Sequence, residues 1–260
     1  MKKTARIILT ILSIFFFQNH SISAETPKFL KTDWSFKGLF GKYDRASLQR
    51  GYQVYTEVCA ACHSMQYLSY RNLAEPGGPE FTEEEAKFIA ASFEVLDGPN
   101  SDGEMFMRPA KLSDKFVNPY ENVEASKAAN GGAYPPDMSV LVKARKGGSN
   151  YVYSVLMGYT DEIPSNITLE EGVYYNKYMI GNKIRMPKPI NDGSVEYTDG
   201  TTASEEQISK DVVAFLTWAA EPHLEARKRT GFKAIIYLFI LTILGFIIKK
   251  KIWSGIETKV

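Results

Sequence analysis

The run Cys59-Ala60-Ala61-Cys62-His63 constrains this chain more than any other stretch of it. Two thiols stand three positions apart, and an imidazole follows the second directly. That spacing suits covalent attachment of one haem c: each sulfur adds to one vinyl group of the porphyrin, and the histidine binds the iron from below. A group of this kind makes the chain an electron handler. Its macrocycle also supplies apolar surface that loops can wrap.

Two other readings of the pentapeptide are weaker. A zinc site wants four ligands, usually sulfurs or a mixture with histidine. Here Cys59 and Cys62 are the chain's two cysteines, and its other histidines are His20 and His223. A thioredoxin-like dithiol sits beside a strand-helix-strand pattern and has no use for the trailing histidine.

Both ends point to a membrane. Met1 to Ala24 reads as a cleaved export signal, with Lys2, Lys3 and Arg6 first, then the apolar stretch Ile7 to Phe17, then the small-residue site Ile22-Ser23-Ala24. Export fits a c-type haem, and both cysteines are consumed by it, so no disulfide is expected. Near the other end, Gly231 to Ile248 is apolar apart from Lys233. At ~1.5 Å per residue this stretch nearly matches a hydrocarbon core of about 30 Å. Arg227, Lys228 and Arg229 flank it on one side, and Lys249, Lys250, Lys251 and Trp253 on the other. With basic residues at both ends the positive-inside rule is ambiguous, and the export signal sets the direction. The expected organisation is a signal over 1–24, a periplasmic haem domain over 25–228, a single transmembrane anchor over 229–250 and a cytoplasmic tail over 251–260. The expected location is a bacterial inner membrane.

The near-neutral total of +1 hides an uneven distribution. Residues 25–226 carry twenty basic side chains against twenty-nine acidic ones. An acidic body favours a basic partner and disfavours nucleic acid, although acidic surface also serves solubility.

The body reads as one mainly α, loop-rich domain. Asp44 can cap a helix running to about Cys59, with Leu48, Tyr52, Tyr55 and Val58 on one face. Thr82-Glu83-Glu84-Glu85 is a capping-box start for a helix to about Phe93. Ser204-Glu205-Glu206-Gln207 is another, opening a helix to Ala220 whose stripe is Ile208, Val212, Phe215, Leu216 and Ala219; Glu221-Pro222 ends it. Glycine-, proline- and asparagine-rich stretches between them predict little strand. By analogy with c-type cytochromes, the first and last of these helices should cross near the haem edge.

A histidine–methionine pair would close the iron on both faces and raise its potential. Met65 is too near His63 to reach the opposite face. Met105 and Met107 could be core or surface, and Met138, Met157 and Met179 read as packing. Met186 in Ile184-Arg185-Met186-Pro187-Lys188-Pro189 stands on a loop stiffened by two prolines and is favoured, with His223 as a competitor.

Longer segments carry a resemblance. They are Arg50-Gly51-Tyr52-Gln53-Val54-Tyr55, Asp97-Gly98-Pro99-Asn100, Asp102-Gly103-Glu104-Met105-Phe106-Met107-Arg108-Pro109, Ala128-Ala129-Asn130-Gly131-Gly132-Ala133, Pro135-Pro136-Asp137, Ala144-Arg145-Lys146-Gly147-Gly148 and Trp218-Ala219-Ala220-Glu221-Pro222. From about Trp34 to the C-terminal anchor the chain resembles the cytochrome c1 family, the membrane-anchored haem subunits of ubiquinol–cytochrome c reductase. The resemblance implies a cytochrome c-like haem domain and Met186 as the second axial ligand. It also implies Arg145 at a haem propionate, with Asn130, Pro135, Pro136 and Tyr151 around the haem; turn and packing roles are the other reading of these four. The partners it implies are cytochrome b, the Rieske iron–sulfur protein as electron donor and a basic cytochrome c as acceptor. The acids Glu83, Glu84, Glu85, Glu94, Asp97, Asp102 and Glu104 lie where the family docks that acceptor. The first three equally suit the first turn of a helix. On this reading the chain is no enzyme by itself. Some bacterial relatives carry a further cysteine pair that this chain lacks. The rival functions are a free-standing anchored cytochrome serving an oxidase, a peroxidase and a haem-based ligand sensor. The last two need an open haem face.

Overall fold

The computed structural model describes residues 28–257, so the expected export signal lies outside the described residues. Helix α1, Arg45–Val54, starts where the Asp44 carboxylate accepts the Ser47 amide at 3.3 Å. Past Val54 the helix widens into one π-helical turn, Tyr55–Cys59, in which the Ala60 amide reaches back to the Tyr55 carbonyl at 2.8 Å. Leu48, Tyr52 and Tyr55 are buried and Val58 is half-buried, so the expected stripe faces the core.

Helix α2, Glu83–Ala91, carries the complete capping box, with Thr82 and Glu85 each bonding the other's amide. It leads into an antiparallel hairpin, β1 Glu94–Asp97 and β2 Phe106–Pro109, with Glu94 opposite Pro109. Helices α3, Val123–Ala129, and α4, Ser149–Leu156, follow. A second short ribbon pairs β3, Tyr174–Tyr175, with β4, Lys183–Ile184. Helix α5, Glu205–Ala220, precedes α6, Leu224–Glu257. Mainly helical and loop-rich, with a C-terminal apolar helix, this is the expected fold class.

Helices α1 and α5 cross at Gly51. A Cβ there would fall 2.1 Å from the Asp211 carbonyl oxygen and 2.7 Å from the Phe215 Cβ. The missing side chain lets the two backbones touch. Around the crossing, Tyr52 meets Phe81, Phe116 and Phe215 edge-on, and Phe215 leans on Trp218. Such pairs add roughly 0.5–1.5 kcal/mol each beyond the area they bury.

The expected stripe of α5 is buried, but so are Ser209, Asp211, Thr217 and Trp218, because α1 and α4 both pack on this helix. The Ser149 and Thr217 hydroxyls meet at 2.9 Å between α4 and α5. Asp211, with no exposed surface, takes Ser47 Oγ at 2.6 Å, Arg50 Nε at 2.8 Å and Gln207 Nε2 at 3.1 Å. That demand corrects the expected second capping box. Ser204 caps the Gln207 amide, but the Gln207 side chain turns forward to the buried carboxylate.

Helix α6 begins five residues before the expected anchor, its first turns tied to the domain by Glu225 and Lys228. It is long and apolar enough to cross a membrane, and its apolar window is not covered by the rest of the chain.

Candidate functional site

The π-helical turn delivers the pentapeptide. The Cys59 carbonyl accepts both the Cys62 amide at 3.1 Å and the His63 amide at 2.9 Å, folding the five residues into one tight turn. Both thiols are free. Burial, with Cys62 adding to it, pushes the Cys59 thiol up to about 12. Among the described residues no three histidine, cysteine or acidic side chains gather as a metal cage.

His63 is buried, and its Nδ1 lies 2.8 Å from the Pro136 carbonyl oxygen. A carbonyl only accepts, so Nδ1 carries the proton and Nε2 presents a lone pair, the form in which imidazole binds a metal. Burial lowers the imidazole pKa and favours that neutral form. The Tyr55 hydroxyl holds the His63 carbonyl at 3.2 Å.

Residues 64–67 and 136–139 are stitched side by side. The Met138 amide donates to the Ser64 carbonyl at 2.8 Å, and the Tyr67 amide to Ser139 Oγ at 3.1 Å. The Asp137 carboxylate accepts from Ser64 Oγ at 2.8 Å, the Gln66 amide at 3.0 Å and the Ser139 amide at 2.9 Å. Burial alone would raise its pKa, but these hydrogen bonds more than offset that and hold it below the usual range. Sequence reasoning gave Asp137, Ser64 and Ser139 no role. The available signal was the Asp-Met-Ser triplet, which favours a side-chain-to-backbone turn.

The methionines separate by position. Met65 is fully buried and Met138 nearly so, both in the core; Met105 and Met107 stand more than half exposed on the hairpin. Met157 is half-buried against the core, and the Met179 sulfur accepts from the Tyr151 hydroxyl at 3.4 Å. Met186 is half-buried after the second ribbon, where the Tyr159 hydroxyl holds its carbonyl at 3.0 Å. Tyr159 is a further residue that the sequence did not reveal. His223 is exposed at the start of α6.

The remaining candidates fall on loops, at a helix end and, for Tyr151, on a helix. Asn130 closes α3, its side chain donating to the Ser126 carbonyl at 2.7 Å and to the Tyr120 hydroxyl at 3.2 Å. Pro135 is half-buried and Pro136 exposed, its carbonyl spent on His63. Tyr151 lies on α4 against the Phe29 ring. Arg145 is exposed, and among the described residues no carboxylate pairs with it.

Of the seven acids, Glu83 pairs with Lys87, Glu85 closes the α2 capping box and Asp97 pairs with Arg108. Glu84, Glu94, Asp102 and Glu104 are exposed.

The model of the Cytochrome C1 family matches residues 34–256. The chain is similar to "Cytochrome c1 2, heme protein, mitochondrial" of Arabidopsis thaliana, 51% identical over 226 residues that cover 87% of this chain and 72% of that one. It is 44% identical over 242 residues to "Cytochrome c1" of Rhodospirillum rubrum, with 87% and 88% covered. It is also 47% identical over 239 residues to "Cytochrome b/c1" of Bradyrhizobium diazoefficiens. That match covers 85% of this chain but spans only 35% of the longer protein. A C-x-x-C-H turn with its imidazole nitrogen oriented, a helix able to cross a membrane and likeness along nearly the whole body converge: the chain belongs to the cytochrome c1 family.

Proposed function

We propose that the chain is the one-electron carrier of a ubiquinol–cytochrome c reductase in a bacterial inner membrane. Cys59 and Cys62 would hold one haem c through thioether links, and His63 and Met186 would be its axial ligands. When bound, the haem supplies one reversible change in iron oxidation state, at a potential raised by histidine–methionine ligation.

The chain's own residues hold and orient that group. Pro136 sets the imidazole tautomer and ring angle, and the Asp137 stitch keeps Pro136 in place. Tyr159 and the two prolines that follow Met186 in the loop, Pro187 and Pro189, steady that residue. Arg145, lacking an acidic partner among the described residues, is available to a propionate, where a guanidinium offsets negative charge. Asn130 and Pro135 shape the surrounding loops, and Tyr151 lines the site from α4.

In this reading residues 25–228 lie in the periplasm, 229–250 span the membrane and 251–260 face the cytoplasm. The chain packs on cytochrome b, accepts an electron from the Rieske iron–sulfur protein and passes it to a basic cytochrome c. The relative named cytochrome b/c1 supports the pairing with cytochrome b. The exposed acids Glu84, Glu94, Asp102 and Glu104 support a basic acceptor, since opposite charge speeds encounter at low ionic strength. Quinol oxidation belongs to the whole complex; this chain makes and breaks no bond.

The observation that carries the reading is the free Nε2 of a buried His63 directly after C-x-x-C. Rapid mixing of the purified complex with quinol tests it. The haem should reduce after the iron–sulfur centre; a haem that stays oxidised while that centre is reduced refutes the relay. A pigment extractable by acidified acetone refutes the covalent link.

A further inference from the structure

The segment between Trp34 and Arg45 lies along the first turns of α6. Lys228 Nζ donates to the Phe36 and Gly41 carbonyls at 2.7 and 3.1 Å. Glu225 accepts from the Tyr43 amide at 2.8 Å and takes both arms of the Arg45 guanidinium. The Phe40 ring meets Phe232 edge-on, with centroids 5.9 Å apart. Residues 225, 228 and 232 share one helix face, so the segment follows that face toward the apolar run.

The tip of this segment is a closed loop. The Lys42 amide reaches the Ser35 carbonyl at 3.0 Å, and Gly38 takes a φ of 76° that favours glycine. At Gly41 a Cβ would fall 1.9 Å from the Lys37 carbonyl oxygen, so the turn closes only without a side chain. The closed loop holds Leu39 and Phe40 outward, 60% and 74% exposed. Adjacent large apolar groups fixed outward mark an interaction surface rather than a face meant for water.

The position of the tip identifies what it meets. Phe232 is the second residue of the apolar run that begins at Gly231, so Phe40 stands level with the edge of that run. The same helix continues through its membrane-length stretch uncovered by the rest of the chain. Lys42 stands exposed on one shoulder of the loop, and Lys37 on the other with its Nζ donating to Asn150 Oδ1 at 3.2 Å. Apolar tips flanked by lysines match the headgroup–acyl boundary of a bilayer.

We infer that the Gly38–Gly41 loop is a second membrane contact of this chain. Leu39 and Phe40 enter the lipid boundary beside α6, and Lys42 meets lipid phosphates. A single span leaves the helix, and the domain clamped to its first turns, free to tilt in the bilayer. A second contact on one side of the helix sets the domain's orientation. The inference rests on the reading of α6 as a membrane span.

Nitroxide labels test this on the full, haem-loaded chain in nanodiscs of phosphatidylcholine and phosphatidylglycerol. Leu39→Cys, Phe40→Cys, Leu244→Cys in α6 and Glu171→Cys on the exposed surface would each carry the label. Collision with oxygen, which favours lipid, is compared with collision with a water-soluble nickel chelate. Positions 39 and 40 should show an oxygen-to-nickel ratio severalfold above that of 171, approaching that of 244. A lipid-like 244 with water-like 39 and 40 overturns the loop contact alone. Labels at 39 and 40 shielded from both reagents overturn it in favour of a protein neighbour, such as a second copy. A water-like 244 removes the span reading and this inference with it.

Discussion

His63 Nδ1 and the Pro136 carbonyl oxygen stand 2.8 Å apart, joining two loops separated by 73 positions in the chain. The bond decides which ring nitrogen is free, and its geometry depends on how firmly 136–139 is tied to 64–67. That tie runs through Asp137.

Replacing Asp137 with alanine removes one acceptor shared by three donors. Hydrogen bonds to a charged group are worth about 1.5–3 kcal/mol each, though these three share one carboxylate and will not add fully. The expected outcome is a loss of roughly 2–4 kcal/mol and easier binding of carbon monoxide to the reduced protein as His63 loosens. Denaturant unfolding and a carbon monoxide titration read both. Unchanged ligand binding would mean that Asp137 only holds the loop.

Met186→Ala should abolish the ferric methionine-sulfur charge-transfer band and lower the potential, while Met179→Ala leaves the band in place. Tyr159→Phe removes the hydroxyl that holds the Met186 carbonyl at 3.0 Å, a contribution of about 0.5–1.5 kcal/mol. That variant should keep the band at lower thermal stability. Near-infrared spectra of the three proteins distinguish the cases, and a band surviving in Met186→Ala rules that sulfur out.

Gly51→Ala sets two effects against each other. Alanine favours helix over glycine by about 1 kcal/mol. Here its Cβ would stand 2.1 Å from a backbone oxygen, and overpacking typically costs about 1–3 kcal/mol. The clash is with backbone, which cannot swing aside, so it should win, lowering the melting temperature by several degrees. A rise in melting temperature would show that α1 and α5 do not touch there.

Asp211 carries a buried charge whose partners are Arg50, Ser47 and Gln207. Removing one member of a buried pair costs about 3–5 kcal/mol, and Asp211→Ala should fall at the low end because Arg50 keeps Asp199. Asp211→Asn retains the shape and should lose less. Chemical denaturation should rank wild type above Asp211→Asn and that above Asp211→Ala.

Arg108 binds Asp97 and Asp114, and its hydrogen bonds hold both carboxyls below their ordinary range. A carboxylate depressed on folding stabilises the native form above its unfolded pKa and stops doing so as pH falls through the folded one. The hairpin Glu94–Pro109 should therefore stay protected at neutral pH and lose protection progressively as pH falls below about 4 and on through the lowered folded values. Amide exchange of β1 and β2 against pH measures this. Arg108→Gln should remove the dependence, and protection persisting unchanged at pH 3 would contradict it.

Local signals were legible. Asp44, Thr82 and Ser204 cap the helices that follow them, because a short side-chain acceptor next to a free amide acts within four residues. The stripes on α1 and α5 are buried as expected, and the C-terminal apolar run forms a helix long enough for a bilayer. The π-helical turn before Cys59 was not legible, since a one-residue widening leaves the apolar spacing nearly unchanged. Nor was the destination of Gln207, which depends on a carboxylate that only the fold buries.

The chain's own order of residues determined its helices, its apolar span and the C-x-x-C-H turn, because each follows from neighbours a few positions apart. Tertiary structure alone decided which nitrogen of His63 is free, what steadies Met186 and where Leu39 and Phe40 point. Those outcomes rest on Pro136, Tyr159 and Phe232, which come near only once the loops pack, and no spacing along the chain encodes which distant carbonyl, hydroxyl or ring will arrive.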